Sequence, residues 1–160
     1  MFNPLKSIIT AAFLLLTTGA HPQAMKTDHW SPAQLLQHAQ HLRQLAAQGD
    51  GSASETLEQY PHHYTMLAFR SHSGGAEEHQ DFADLFYILD GQASLITGGS
   101  IAESHSTAPG EIRGASIQGG STQQLKAGDV VHIPAGMPHQ MLLPSGSTVT
   151  YFVVKIEESH

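Results

Sequence analysis

Six short stretches, each six to nine residues long, follow one another between residues 62 and 156. They are HHYTMLAF (62–69), ADLFYIL (83–89), QASLIT (92–97), DVVHIP (129–134), HQMLLP (139–144) and TVTYFVVKI (148–156). Their Val, Ile, Leu, Tyr and Phe content suits strands, and their length is short for helices. Turn-forming pairs break the chain between them: Gly74-Gly75, Asp90-Gly91, Gly98-Gly99, Gly119-Gly120, Gly128-Asp129 and Ser145-Gly146. Many short strands with frequent turns fold as an antiparallel sandwich or barrel, so an all-β domain is expected. Leu89-Asp90-Gly91-Gln92 joins two of the runs and predicts a tight hairpin.

Upstream of residue 60 the character differs. Ser31-Pro32 predicts a helix start, because Ser caps the first free N–H groups and Pro fits the first helical position. Leu35, Leu36, Leu42 and Leu45 lie near helical spacing, and Gly49 ends the pattern. The polar stretch 49–59, GDGSASETLEQ, is expected to be a loop. The helix is expected to pack on the outside or one end of the β domain. At the start of the chain, Lys6 precedes an apolar run that ends in Thr18-Gly19-Ala20, the pattern of a cleaved secretory leader. Its apolar core, Ile8 to Leu16, is shorter than the ~20 residues a bilayer span needs. The expected organisation is a leader over 1–20, a helix and linker over 21–59 and a β-barrel over 60–160. The expected location is periplasmic or secreted, with no membrane attachment after cleavage.

A formal charge of −7 argues against nucleic acid and anionic membrane surfaces as partners. The chain has no cysteine, so any metal must be held by nitrogen and oxygen ligands. Its twelve histidines are scattered, so their number directs nothing by itself.

Their spacing does. Gly128, Pro134, Gly136 and His139 stand at intervals that resemble the second motif of the cupin superfamily, Gly-x5-Pro-x-Gly-x2-His-x3-Asn, with Leu143 in place of the final Asn. The first cupin motif, Gly-x5-His-x-His-x(3 or 4)-Glu-x6-Gly, is met in degenerate form. Ser71 stands at the opening Gly, Glu77 at the first His, His79 at the second His, Asp84 at the Glu, and Gly91 closes it. The resemblance covers about residues 62–156. It implies a cupin-type jelly-roll β-barrel in which His139 and His79 bind a metal, with carboxylates at the two substituted ligand positions.

Strand geometry is compatible with this. Residues two apart on a strand share a face, so Glu77 and His79 can chelate together while Glu78 faces away. Asp81 has the same parity and is an alternative to Glu77 or Asp84. Two imidazoles with one or two carboxylates, and no thiolate, suit Mn, Fe, Zn, Ni or Cu, with positions left for water or substrate.

Other residues are read more plainly. His132 interrupts an apolar strand and is expected to be a satisfied core histidine. His62 and His63 are adjacent and face opposite ways, and His105 is expected to be solvated in a polar loop. Tyr64, Met66, Arg70, Phe86 and Met141 are expected in the core, where they could line a pocket. Residues 98–125 separate the two motifs widely and carry Glu111 and Arg113 between glycines. An extra hairpin is the expectation, with a lid or a homodimer contact as alternatives.

The function implied is that of a metal-dependent enzyme, of oxygenase or isomerase type, acting on a small polar organic molecule. The alternative is a barrel without metal that binds a small ligand or serves a structural role.

Overall fold

The computed structural model describes residues 27–158, so the expected leader lies outside the described residues. Helix α1 (Pro32–Gln48) begins where Ser31 and Gln34 satisfy each other. Gln34 N–H donates to Ser31 Oγ at 3.3 Å, and Ser31 N–H donates to Gln34 Oε1 at 2.9 Å. This capping box uses backbone donors that the first turn leaves free. Gly49 ends the helix, its N–H bonded to the Ala46 carbonyl. The buried stripe is Leu35, Ala39, Leu42 and Ala46, and Leu45 is exposed.

Twelve strands follow: β1 (Ser52–Gln59), β2 (His63–Arg70), β3 (Ala76–His79), β4 (Phe82–Thr97), β5 (Ser100–Ala102), β6 (His105–Ala108), β7 (Glu111–Gly114), β8 (Ser116–Gln118), β9 (Ser121–Lys126), β10 (Val130–Ile133), β11 (His139–Leu142) and β12 (Val149–Glu157). All pairings are antiparallel. One sheet runs β1-β2-β12-β4-β10, and the other runs β9-β4-β11-β3-β7-β6. The long strand β4 belongs to both, so the sheets curl into the half-barrel of a jelly roll, as the cupin resemblance implies. Between them lies a core of Ala68, Phe86, Ile88, Leu95, Ile133, Met141, Val149, Tyr151 and Val153.

The bend in β4 replaces the expected hairpin at Asp90-Gly91. Thr150 pairs with Asp90 and Tyr151 with Ile88, which leaves Leu89 as the extra residue of a bulge. Gly91 has φ +83°, and a Cβ there would fall 1.9 Å from the Thr148 carbonyl oxygen. The left-handed glycine that a hairpin turn needs serves here in a continuous strand just past the bulge, so Asp-Gly marks the backbone conformation but not a chain reversal.

Two further expectations change. Residues 52–59 are not a loop but edge strand β1, paired with β2. Ala53 and Leu57 pack in the helix cluster with Leu42, Leu67 and Phe69, while Ser52 and Ser54 line a cavity. A strand with one polar face on a cavity looks like a loop in sequence. His132 is exposed, not a core residue. It lies on β10, which among the described residues pairs with β4 alone, and its parity follows exposed Val130 rather than buried Ile133.

Segment 98–125 forms extra β structure. Strands β6 and β7 make a hairpin whose β7 side extends the second sheet through β3, while β5 and β8 form a separate two-stranded ribbon.

Candidate metal centre

The turn after β10 carries the chain from one sheet to the other. Met137 N–H bonds to the Pro134 carbonyl at 3.2 Å, and Gly136 adopts φ +71°. Pro138 then precedes β11, whose first residue, His139, pairs with Glu77 of β3 on one side and Thr97 of β4 on the other. Glu77 and His79 share a face of β3, so register alone brings Glu77, His79 and His139 together. One donor atom from each lies within 4.8 Å of the others.

Asp84 reaches the same place from the opposite sheet. It pairs with Ile133 on β10 and Lys155 on β12 and shares parity with buried Phe86 and Ile88. Its Oδ2 lies 3.5 Å from His139 Nε2 and 3.6 Å from His79 Nε2. Glu77 Oε1 is 3.5 Å from His139 Nε2. Asp81 does not join. Strand β3 stops at His79, so the parity argument lapses, and exposed Asp81 sits in the turn with its carboxylate beside Gly110.

Both imidazoles are held from behind. His79 Nδ1 faces Glu111 Oε2 at 2.8 Å, and His139 Nδ1 bonds to the Met137 carbonyl at 2.9 Å. The carbonyl can only accept, so His139 Nδ1 donates there. The same assignment at His79 leaves both Nε2 atoms facing the centre. His139 Nε2 is buried, and among the described residues it has no hydrogen-bond partner. The fit to a metal rests on this atom: an unpartnered ring nitrogen, flanked by carboxylates, whose other nitrogen is anchored.

Charge in the site follows from position. Burial would lower the His139 pKa, but the flanking Asp84 and Glu77 carboxylates outweigh it and push it up to about 9. Burial and the Lys155 ammonium hold His79 below its ordinary value. Burial opposes ionisation of Glu77 and Asp84, yet His139 and a cation beside each keep both below the usual carboxylate range. The carboxylates thus favour a positive charge at the point where the Nε2 atoms converge. Two imidazole nitrogens with Glu77 and Asp84 oxygens could hold a divalent ion there.

Three flanking residues carry the rest of the charge. Lys155 Nζ is 2.5 Å from Asp84 Oδ1, a direct cross-strand pair. On β7, Glu111 is the register partner of His79, and Arg113 is that of Glu77. Arg113 forms an ion pair with Glu77 and a second with Glu111, the latter at 3.0 Å. None of the three was expected in the site. The signals were a lysine on the apolar parity of β12, after Tyr151 and Val153, and two opposite charges two residues apart in a segment otherwise poor in charge.

A cavity of about 510 Å³ opens onto this cluster. Glu77, Glu111 and Arg113 keep 23–36% of their side-chain surface exposed, whereas His139 and Asp84 keep 3% and 2%, so the centre is approached from the β3–β7 side. Tyr64, Met66, Arg70 and Phe86 line the cavity, whereas Met141 belongs to the buried core.

No protein-family model matches the chain, and no curated protein matches it by sequence. Solved structures do resemble it. The cupin domain of Cnp3 from Schizosaccharomyces pombe is similar at TM-score 0.51 and 11% identity, over 67% of this chain and 65% of that one. The DMSP lyase DddQ from Ruegeria pomeroyi is similar at TM-score 0.50 and 15% identity, over 68% of this chain and 48% of that one. The match thus spans about half to two thirds of these proteins. At such identity the likeness concerns the fold, which is of cupin type.

Proposed function

We propose that this cupin-fold chain binds a divalent transition-metal ion through Glu77, His79 and His139, with Asp84 alongside, and acts with it on a small polar organic molecule. The observation that carries the proposal is the convergence of two anchored, buried imidazoles on carboxylates from both sheets. A metal held there would supply Lewis acidity or a redox centre, and Mn, Fe, Zn, Ni and Cu all accept this donor set. Glu111 and the Met137 carbonyl orient the imidazoles, Arg113 holds Glu77, and Lys155 holds Asp84. Export belongs to the same proposal and rests on Lys6, the apolar run and the small residues before His21.

The test is elemental analysis of wild-type protein and of His79→Ala and His139→Ala, purified alike from the exported fraction. About one equivalent of metal is expected in the wild type and none in the variants. Wild-type protein that takes up no divalent transition metal, even on reconstitution, would overturn the metal centre. Soluble cytoplasmic protein with Met1 intact would overturn export.

A second reading, small-ligand binding without a metal, is favoured by one observation. Lys155 and Arg113 already neutralise Asp84 and Glu77. The same analysis separates the two.

A further inference from the structure

Three cationic side chains line the cavity: Arg70, Arg113 and Lys155. Arg113 pairs with Glu77 and Glu111, and Lys155 pairs with Asp84. Arg70 is different. Its Nε donates to the neutral Tyr151 hydroxyl at 3.0 Å, and the Asp50 and Glu77 carboxylates share its cavity, but among the described residues no carboxylate lies within ion-pair distance of it. Its guanidinium also lies against Gly74, where a Cβ would come 2.7 Å from Nη1 and 3.1 Å from Cζ. The Gly74 backbone is pinned, since its N–H bonds to the Met141 carbonyl and its carbonyl accepts from Gln140 Nε2, both at 2.9 Å. The guanidinium is therefore held by Tyr151 at Nε and by the close approach of Gly74, in a cavity whose other two cationic side chains are ion-paired.

We propose that Arg70 binds the carboxylate of the substrate, so that the cavity takes small organic acids, held at one end by Arg70 and at the other by the metal centre. The proposal rests on the metal-dependent function above. A guanidinium stays charged in any protein environment and presents two parallel N–H groups that match a carboxylate. The fork of the Arg70 guanidinium matches the two oxygens of a planar carboxylate. Met66, Phe86 and Val153 supply an apolar wall for the carbon chain between the two ends.

The test is calorimetric titration with a panel of two- to six-carbon mono- and dicarboxylates, and with their amides, on metal-loaded and chelator-treated protein. The expectation is that acids bind the loaded wild type and amides do not. Arg70→Gln should weaken acid binding by about tenfold or more while keeping the metal content, and Arg70→Lys should recover part of the loss. Gly74→Ala keeps the arginine but displaces its guanidinium, and should weaken binding with the melting curve little changed. The proposal is overturned if no acid binds the wild type in either state, if amides bind as tightly as acids, or if Arg70→Gln binds acids like the wild type. Acid binding that survives chelator and is lost in Arg70→Gln would uphold Arg70 while the metal analysis decides the metal centre separately.

Discussion

Gly136 N–H donates to the His79 carbonyl at 2.8 Å, so the turn that launches His139 is tied to the strand that carries His79. The two motifs, sixty residues apart by the positions of His79 and His139, meet first through backbone and only then through imidazoles. The ring centroids end 5.3 Å apart.

This arrangement predicts that metal uptake needs both imidazoles. A metal that binds only the folded chain stabilises it by about 2.7 kcal/mol at a hundredfold excess over Kd. Adding metal should raise the wild-type melting temperature by several degrees and leave His79→Ala and His139→Ala unmoved. Full metal content in either variant would show that its imidazole is no ligand.

Glu111 orients His79 without facing the centre itself. Glu111→Gln should weaken metal affinity by about 10–100-fold while keeping the stoichiometry, as read by competition with a chelator. Unchanged affinity would reduce the 2.8 Å contact to a surface ion pair.

Stability of chelator-treated protein should depend on pH through His139. Its value rises from an ordinary 6.5 to about 9 in the folded state. The protonated form therefore contributes stability in full below about pH 6.5, and this is lost as pH rises through about 9. The metal-free melting temperature should fall between pH 7 and pH 10, with a flatter curve for His139→Ala. Parallel curves would contradict the assignment. Glu77 and Asp84, both lowered, act in the opposite direction and lose their contribution only in acid.

Burial rather than sequence neighbourhood should set the cost of side-chain truncation. His132→Ala removes an exposed edge-strand side chain and should change stability by no more than about 0.5 kcal/mol. Leu42→Ala opens a hole between α1 and the sheet, where Leu42 has no exposed surface, and should cost about 2–5 kcal/mol. Chemical denaturation measures both, and a large loss in His132→Ala would mean that β10 is packed differently.

The sequence by itself determined what short-range chemistry determines. The helix with its Ser31 cap, the strands over 62–69 and 129–156, and the Gly-Pro turn before His139 follow from local backbone preferences and were legible. So was the shared face of Glu77 and His79, because strand parity is a property of two neighbouring residues. Tertiary structure decided the rest. Gly91 permits a bend as readily as a hairpin, and the bend is selected by β12 pairing with β4 up to Gly91 while β9 and β11 pair with the residues beyond it. Asp84 enters the site and Asp81 does not, because β3 ends at His79 and leaves Asp81 in the turn, while Asp84 projects inward from β4 in the other sheet. Lys155, Glu111 and Arg113 reach the imidazoles and carboxylates through cross-strand register with segments 32 to 71 residues away. Register between distant strands is set by the packing of the whole sheet, and no local preference encodes it.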